Sequence, residues 1–264
     1  MVERSDLERY RIASLGKGLQ ILRQIAATPN AVAATELASS TGIPPATVYR
    51  LVATLELEGY LTRTDGGLYR PALSNLELGF ASLRASGLVS VASDLIRDLS
   101  VRTGETANLG VLQRDQVMYL VRVQNNDLVT AHITVGSHLP AVSTSIGKLL
   151  LAHLADKDLE ACLNRSSFAS AGPNAGPNAV KSLAALKPEL ERIRQAGWAL
   201  QNEEVAKGLR SVAAPVRDAD GKFVAAVNVA VPAADHPLES VIASLLPEVL
   251  ATGAQISRLL GYMP

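Results

Sequence analysis

The segment from Thr35 to Arg63, TELASSTGIPPATVYRLVATLELEGYLTR, restricts the possible fold more than any other part of the chain. It predicts two short helices joined by a tight turn. Gly42 is predicted to end the first helix because glycine adopts the left-handed conformation at little cost, and Thr35 is predicted to cap the start of that helix. Pro45 fits the first turn of the second helix, where a missing N–H breaks no hydrogen bond. This pattern is typical of a helix-turn-helix.

The second helix of this pair has one apolar face and one polar face. Its apolar residues recur at helical spacing and are predicted to pack inward: Val48, Leu51, Val52 and Leu55. Thr47, Tyr49 and Arg50 then lie on or near the outward face, where a recognition helix meets base edges. Arg50 has two possible roles there, which are reading a guanine through its forked donors and holding a phosphate.

A hairpin is predicted directly after the second helix. The strands Leu61–Arg63 and Leu68–Arg70 flank a turn that contains Asp-Gly-Gly, which is typical of a tight turn. Such a hairpin is the wing of a winged helix-turn-helix. The chain carries no net charge, so DNA binding must depend on where the cations lie rather than on how many there are. The predicted DNA contacts are Lys17, Thr35, Thr47, Tyr49, Arg50, Arg63 and Arg70.

The remainder of the chain is predicted to be a linker and an α+β domain. We place a DNA-binding domain at residues 1–70, a linker helix at 71–87 and a second domain at 88–264. The linker helix carries enough large apolar residues to favour packing against another surface, such as a partner chain. These residues are Leu73, Leu76, Leu78, Phe80 and Leu83.

The second domain alternates strand-like and helix-like runs, and its consecutive strands favour a mostly antiparallel sheet covered by helices. Strands are predicted at Thr106–Leu112, Gln116–Val123, Leu128–Thr134, Ser211–Val216 and Phe223–Val231, and helices at Ser145–Leu154, Lys157–Leu163 and Leu183–Ala196. Residues 136–140 are predicted to form a loop, and the repeat AGPNAGPNA at 171–179 an exposed one. Pro247 predicts a kink or a restart in the last helical segment.

The composition and motifs exclude several classes of protein. Cys162 is the only cysteine, so an internal disulfide and a cysteine-based metal or redox cluster are impossible. The histidines lack metal-ligand spacing, and no nucleophile elbow, phosphate loop or dinucleotide fingerprint occurs. We therefore expect no enzymatic activity, metal or cofactor. The N-terminus is too charged for a signal peptide and no apolar run approaches ~20 residues, which favours a cytoplasmic protein without a membrane partner.

Four segments resemble, in order, the IclR (isocitrate lyase regulator) family of bacterial transcription regulators, over essentially the whole chain. They are SLGKGLQIL at 14–22, TGIPPATVYRLVATLELEGYL at 41–61, GSHLPAVSTSIGKLLLAHL at 136–154, and NEEVAKGLRSVAAPVRDADGKFVAAVNVAVP at 202–232. The last is similar to the family signature Glu-x-x-x-Gly-x-Arg-x-x-Ala-x-Pro, here Glu204, Gly208, Arg210, Ala213 and Pro215. The resemblance implies a winged helix-turn-helix, a linker helix and a GAF-like effector-binding domain, acting as a dimer or tetramer on promoter DNA.

The resemblance also implies which residues contact DNA and which line an effector pocket. Thr47 and Arg50 match the recognition-helix contacts, whereas Pro45-Ala46 replaces the usual basic residue and serine and removes a charge and a hydroxyl from the expected DNA face. The positions implied for the effector pocket are Leu139, Ser145, Gln201, Leu209, Ser211 and Asn228. The alternative for the polar residues among them is that they are core groups whose hydrogen bonds are satisfied within the protein. Arg210 has two possible roles, which are to offset the charge of a bound acid and to form an ion pair with Glu203 or Glu204.

Within the family, the chain looks most like regulators of aromatic-acid catabolism, including protocatechuate, 4-hydroxybenzoate and β-ketoadipate regulators. This implies a regulator of a catabolic operon controlled by a small organic acid, aromatic or dicarboxylic. The alternative is a small-molecule-binding module or enzyme with a vestigial DNA-binding head. Two observations favour it: the N-terminal domain carries no net charge, and Pro45-Ala46 departs from the family pattern. The sequence leaves open whether the protein represses or activates, and whether it is a dimer or a tetramer.

Overall fold

The computed structural model describes residues 9–28, 30–125, 133–169 and 175–263. The chain forms two compact units, Met1–Ala85 and Ser86–Pro264. The first unit contains the helices α1 (Ala13–Ala26), α2 (Ala34–Thr41) and α3 (Pro45–Leu57), the strands β1 (Leu61–Arg63) and β2 (Tyr69–Pro71), and most of helix α4 (Asn75–Ser86).

The helix-turn-helix lies where the sequence predicts it, apart from its first cap. Gly42 has a φ of 69° and ends α2 in the left-handed conformation, and Pro45 is the first residue of α3. The prediction that Thr35 caps α2 is wrong: Ala33 is the N-cap residue and no side chain caps the helix. Thr35 lies within α2 and is exposed, because burial of the Ala34 side chain in the core moves the helix start two residues earlier.

The core of the first unit is a single apolar cluster. It buries Ile21, Ile25, Val32, Ala34, Leu37, Ala38, Ile43, Val48, Val52, Leu61 and Tyr69. Leu51 and Leu55 pack against its edge and are half-buried. In α1, Leu15 and Leu19 point to solvent, 60% and 43% exposed, and Gly18 takes the inward position between them.

The hairpin and the start of α4 are joined by hydrogen bonds. The hairpin strands pair antiparallel with Thr62 opposite Arg70, and the backbone of Val32 forms a bridge to Tyr69. The Asn75 side-chain amide donates to the carbonyl oxygens of Tyr60 and Ala72, each at 2.8 Å. These bonds fix the direction in which α4 leaves the hairpin.

Helix α4 exposes several large apolar side chains within the described part of the chain. Leu73, just before it, is 83% exposed, and Leu76, Leu78 and Phe80 are each more than half exposed. The side chain of Leu83 lies outside the described residues. Large apolar surface in water is unfavourable unless something covers it.

The second unit is built on a six-stranded antiparallel sheet. Its helices are α5 (Leu88–Thr103), α6 (Ser145–Ala152), α7 (Asp156–Cys162), α8 (Arg165–Ala169), α9 (Leu183–Ala196), α10 (Leu238–Ser240) and α11 (Leu246–Leu259), and its strands are β3 (Thr106–Gln113), β4 (Gln116–Val123), β5 (His138–Pro140), β6 (Ala199–Asn202), β7 (Leu209–Arg217) and β8 (Phe223–Pro232). The strand order is β5-β4-β3-β8-β7-β6. This is the predicted α+β architecture with a mostly antiparallel sheet.

Several elements of this unit differ from their prediction. Residues 138–140 form an edge strand rather than a loop, and β6 was not predicted. The predicted strand Leu128–Thr134 falls mostly on residues 126–132, outside the described residues, and the described Ile133 and Thr134 are not in a strand. In the repeat, Gly176 is buried and its N–H donates to the carbonyl of Glu204 at 3.1 Å, whereas Pro177 and Asn178 are exposed, so the described end of that segment is exposed only in part.

Helices cover both faces of the sheet. Helices α6 and α9 share one apolar cluster with the inward residues of β4, β7 and β8, and α5 and α11 pack on the opposite face. A π-helical turn, Val241–Leu245, separates α10 from α11, and Pro247 lies in the first turn of α11, as expected for a restart. The stretch Leu238–Leu259 is long and apolar enough to cross a membrane by length and composition alone, and 44% of its apolar 18-residue window is buried inside the domain.

Helix α6 can lie against the preceding loop only because residue 147 is glycine. A Cβ atom at Gly147 would be 2.3 Å from the Cα and carbonyl oxygen of Ala141. We expect Gly147→Ala to lower the free energy of unfolding by about 1–3 kcal/mol, because α6 would have to move away. Urea denaturation measures this. Gly79→Ala is the control, because a Cβ there meets nothing within 4 Å and alanine favours a helix; equal losses in both variants would contradict the account.

His153, at the end of α6, gives the second unit a predicted pH dependence. Its ring stacks on Phe223 at 3.5 Å between centroids. Burial first, then the charges of Arg217 and Arg194, lower the pKa of His153 to about 4. The unfolded chain, with a pKa near ~6.5, therefore binds more protons between these values. Stability should be complete above about pH 6.5 and decrease as the pH falls towards 4.

Solvent screening reduces this loss because His153 is only half-buried. Urea unfolding midpoints at pH 7, 6 and 5 test the prediction. His153→Phe keeps an aromatic stack without a titrating group, so its midpoint should fall less over this range. A loss in the variant as large as that of the parent would show that other groups cause it.

Candidate functional site

The predicted DNA contacts of the first unit form an exposed polar set. Six of the seven are exposed, and Thr47 is half-buried: Lys17, Thr35, Thr47, Tyr49, Arg50, Arg63 and Arg70. Tyr49 is 52% exposed. An exposed aromatic side chain at this position fits a surface that meets a partner. Among the described residues, no carboxylate lies within ion-pair distance of the four cations in this set.

The two arginines of the hairpin are held in place by neighbouring side chains. The Arg63 guanidinium lies 5.7 Å from the centroid of the Tyr69 ring, and Arg70 Nε donates to Thr62 Oγ1 at 3.2 Å. Tyr69 and Thr62 are not acids, so neither of these neighbours offsets the positive charge of the arginine that it contacts. The DNA contacts themselves stay predictions.

In the second unit, four of the six predicted effector residues form one buried hydrogen-bond network. Ser145 Oγ lies 2.8 Å from Ser211 Oγ and accepts from Asn228 Nδ2 at 3.1 Å. Ser211 Oγ lies 3.4 Å from Gln201 Oε1. All four residues are at least 96% buried. Gln201 Nε2 is buried and has no hydrogen-bond partner among the described residues.

The network lies beside a small cavity of about 20 Å³, which is room for about one water molecule. Leu139 and Leu209 line this cavity together with Ser211 and Asn228, and its other lining residues are Asn108, Tyr119, Arg122, Ile133, Thr144, Val205 and Ala230. Four of the six predicted residues thus line the cavity, and Ser145 and Gln201 are connected to it through their hydrogen bonds to Ser211.

Sequence reasoning missed the charge and the phenol at this cavity. Asn108 lies directly opposite Arg122 on one neighbouring strand and Asn228 on the other, so three polar side chains cross the sheet in a row. Arg122 Nη1 donates to Asn108 Oδ1 at 3.0 Å, and Asn108 Nδ2 donates to Asn228 Oδ1 at 2.8 Å. The signal was present in the sequence as an arginine and an asparagine within otherwise apolar strands.

Burial changes the acidity of the two titratable groups at the cavity. It raises the pKa of Tyr119 to about 12, with a smaller opposing effect of the Arg122 charge. Burial likewise lowers the pKa of Arg122, an effect that Tyr119 partly offsets. At neutral pH the phenol is therefore a neutral hydrogen-bonding group and the guanidinium is a cation with incomplete solvation.

Other polar residues considered from the sequence have structural roles. Arg210 donates to Asn202 Oδ1 at 2.8 Å and to the carbonyls of Ala233 and His236, and Glu203 lies at 3.8 Å, so its structural role is the one observed. Burial, and then the charge of Asp115, raise the pKa of Cys162, which makes its thiol less reactive. Within the described residues no group of three or more His, Cys, Asp or Glu side chains could hold a metal ion; His132 lies outside them.

Comparison with known proteins matches both units. The IclR helix-turn-helix domain matches residues 14–65, and the bacterial transcriptional regulator IclR C-terminal domain matches residues 80–258. The chain is 32% identical over 219 residues to the Pca regulon regulatory protein of Pseudomonas putida, covering 83% of this chain and 74% of that protein.

Solved structures agree with this assignment. A putative transcriptional regulator from Rhodococcus sp. RHA1 is 30% identical with a TM-score of 0.74, over 95% of this chain and 98% of the other. An IclR homolog from Microbacterium hydrocarbonoxydans complexed with 4-hydroxybenzoate shares the fold at 23% identity, with a TM-score of 0.76 over 94% of this chain and 99% of that one. The relatives are transcriptional regulators rather than enzymes. The chain belongs to the IclR family of bacterial transcriptional regulators.

Proposed function

We propose that this regulator binds promoter DNA in the cytoplasm as a dimer or a tetramer, and that a small organic acid in the Arg122 cavity controls the binding. The acid is aromatic or dicarboxylic and reports on a catabolic pathway. The observation that carries the proposal is the buried polar network at that cavity: a cation, a neutral phenol, two serines and three amide side chains line the cavity or form a hydrogen bond to a residue that lines it.

The chemistry of this network fits a carboxylate. Arg122 supplies a positive charge, and Gln201 Nε2 is a buried donor without a partner among the described residues, which is unfavourable until an acceptor fills it. A carboxylate provides acceptors for these donors. Leu139, Leu209 and Ile133 supply an apolar wall for the remainder of the acid.

The size of the cavity supports a switching role. About 20 Å³ cannot hold an organic acid, so the acid must bind a more open arrangement of the domain and favour it by mass action. Ser145 lies at the start of α6, and Gln201 lies in the edge strand β6. Opening the cavity therefore moves the buried helix α6 and the edge strand β6.

The exposed apolar side chains of α4 support self-association. Leu76, Leu78 and Phe80 lie on the helix that follows the hairpin, so a dimer formed there would set the separation of two recognition helices. Two-fold DNA sites require half-sites at about one helical turn. A change in subunit pairing would then change DNA affinity.

Calorimetry of the full-length protein with 4-hydroxybenzoate and adipate tests the effector site. We expect Arg122→Met to weaken the binding of the acid at least tenfold, because a hydrogen bond to a charged group contributes about 1.5–3 kcal/mol. Arg97→Met is the control, since Arg97 lies on α5 and pairs with Asp94. If both variants bind like the parent, or if neither acid binds the parent, the proposed site is wrong.

A further inference from the structure

The second unit contains a larger cleft that does not share a lining residue with the Arg122 cavity. Its volume is about 520 Å³, within the range of small-molecule sites. The cleft lies between α6, α9 and β6, and an apolar wall of Val180, Trp198 and Leu200 faces polar side chains. None of the effector positions implied by the sequence lies in it.

The base of the cleft is a buried ion pair. Lys148 is only 2% exposed, and its Nζ lies 2.5 Å from Glu204 Oε1 and 3.8 Å from Glu189 Oε1. Arg192 donates to both oxygens of Glu189, at 2.8 and 2.9 Å, and its guanidinium lies 5.0 Å from the centroid of the Trp198 ring. Two cations therefore face two carboxylates, and the cleft has no net charge to attract an acid or an amine.

One acceptor in the cleft lacks a partner. Glu204 is 7% exposed, and its Oε2 atom is buried without a hydrogen-bond partner among the described residues. An unsatisfied buried carboxylate oxygen is unfavourable, so a ligand that donates a hydrogen bond to it would stabilise the site. Asn178 and Asn202 add planar polar groups to the same wall. Hydroxyl groups donate hydrogen bonds without adding charge, and an apolar wall suits the C–H face of a ring.

We propose that this cleft is a second ligand site that takes a small neutral polyhydroxy compound of about monosaccharide size. One hydroxyl donates to Glu204 Oε2, and the ring lies against the wall that contains Trp198. The site is connected to the Arg122 cavity by two shared elements, since α6 carries Lys148 and Ser145 while β6 carries Asn202 and Gln201. A ligand in the cleft is thus placed to influence the effector site.

The fluorescence of Trp198 is a direct test because it is the only tryptophan in the chain. The full-length protein is titrated with D-glucose, D-xylose and myo-inositol, and with D-gluconate and D-glucosamine as an anion and a cation of matched size. We expect a saturable change with at least one neutral compound and at least tenfold weaker binding of both charged ones. No saturable change with the three neutral compounds, or preferential binding of either charged one, would overturn the proposal.

Calorimetry of variants locates the binding. Glu204→Gln should weaken the binding of the neutral compound at least tenfold, and Arg192→Ala gives a second test that leaves the buried pair intact. Arg97→Ala is matched to Arg192→Ala, because each arginine pairs with an acid three residues earlier, but Arg97 lies outside the cleft. An unchanged affinity in Arg192→Ala and Glu204→Gln, or an equal loss in Arg97→Ala, would contradict the assignment.

Discussion

Replacement of Arg50 by alanine is expected to weaken the binding of the protein to its promoter DNA by about 30-fold or more. A DNA-contacting arginine contributes about 1–3 kcal/mol, and a dimer loses the contact twice, which gives about 2–6 kcal/mol. The side chain of Arg50 is exposed and forms no hydrogen bond within the described residues. Thr54 Oγ1 donates to the backbone carbonyl of Arg50 at 2.8 Å, and the substitution keeps that carbonyl. The substitution should therefore leave the fold intact.

The same variant distinguishes the two possible roles of Arg50. If it holds a phosphate, the loss should be uniform across DNA sequences, and the salt dependence of binding should decrease by about one counterion per subunit. If it reads a guanine, the loss should fall on one base position of the site. Fluorescence anisotropy at several salt concentrations measures both quantities. Arg23→Ala, an exposed arginine on α1 outside the predicted surface, is the control; equal affinity of Arg50→Ala and the parent would remove Arg50 from the interface.

Replacement of Lys148 by methionine is expected to lower the free energy of unfolding of the second unit by about 3–5 kcal/mol. The substitution leaves Glu204 buried without its cation, which is the costly half of breaking a buried pair. Burial raises the pKa of Glu204, which the charge of Lys148 partly offsets. Burial acts in the same direction on Glu189, but the hydrogen bonds and charges of Arg192 and Lys148 outweigh it and lower the pKa of that group.

A double variant isolates the cause of this loss. Lys148→Met with Glu204→Leu removes both charges and should recover most of the stability, because apolar replacements of buried pairs are often neutral. Urea denaturation of the two variants and the parent measures the difference. A double variant as unstable as Lys148→Met would show that shape, rather than the unpaired charge, determines the loss.

Residue preferences for turns and caps predicted the helix-turn-helix well, but they failed at the start of α2, where packing determined the position of the helix end. The glycine at position 42 and the proline at 45 fixed the turn because their backbone preferences are intrinsic. The cap at Thr35 was predicted from the same kind of rule, yet the burial of Ala34 moved the helix start. Capping contributes about 1 kcal/mol, which is comparable to the gain from burying one small apolar residue.

In the second unit, the strand register limits what a single sequence can predict. The resemblance supplied four members of the network, but Arg122 reaches the cavity only because it lies opposite Asn108 and Asn228 in the sheet. A register irregularity lies between Leu109 and Gly110. A shift of one residue would turn Arg122 to the other face. Strand β6 escaped prediction because Ala-Leu-Gln-Asn has little intrinsic strand preference.

The most direct test of the account is the affinity of the full-length protein for the DNA flanking its own gene, with and without a bound acid. At one fixed salt concentration, we predict measurable binding that changes about fivefold or more when the acid saturates the Arg122 cavity. By linkage, the DNA must change the affinity for the acid by the same factor. No binding at low salt, or DNA affinity unchanged by an acid that calorimetry shows to be bound, would contradict the account.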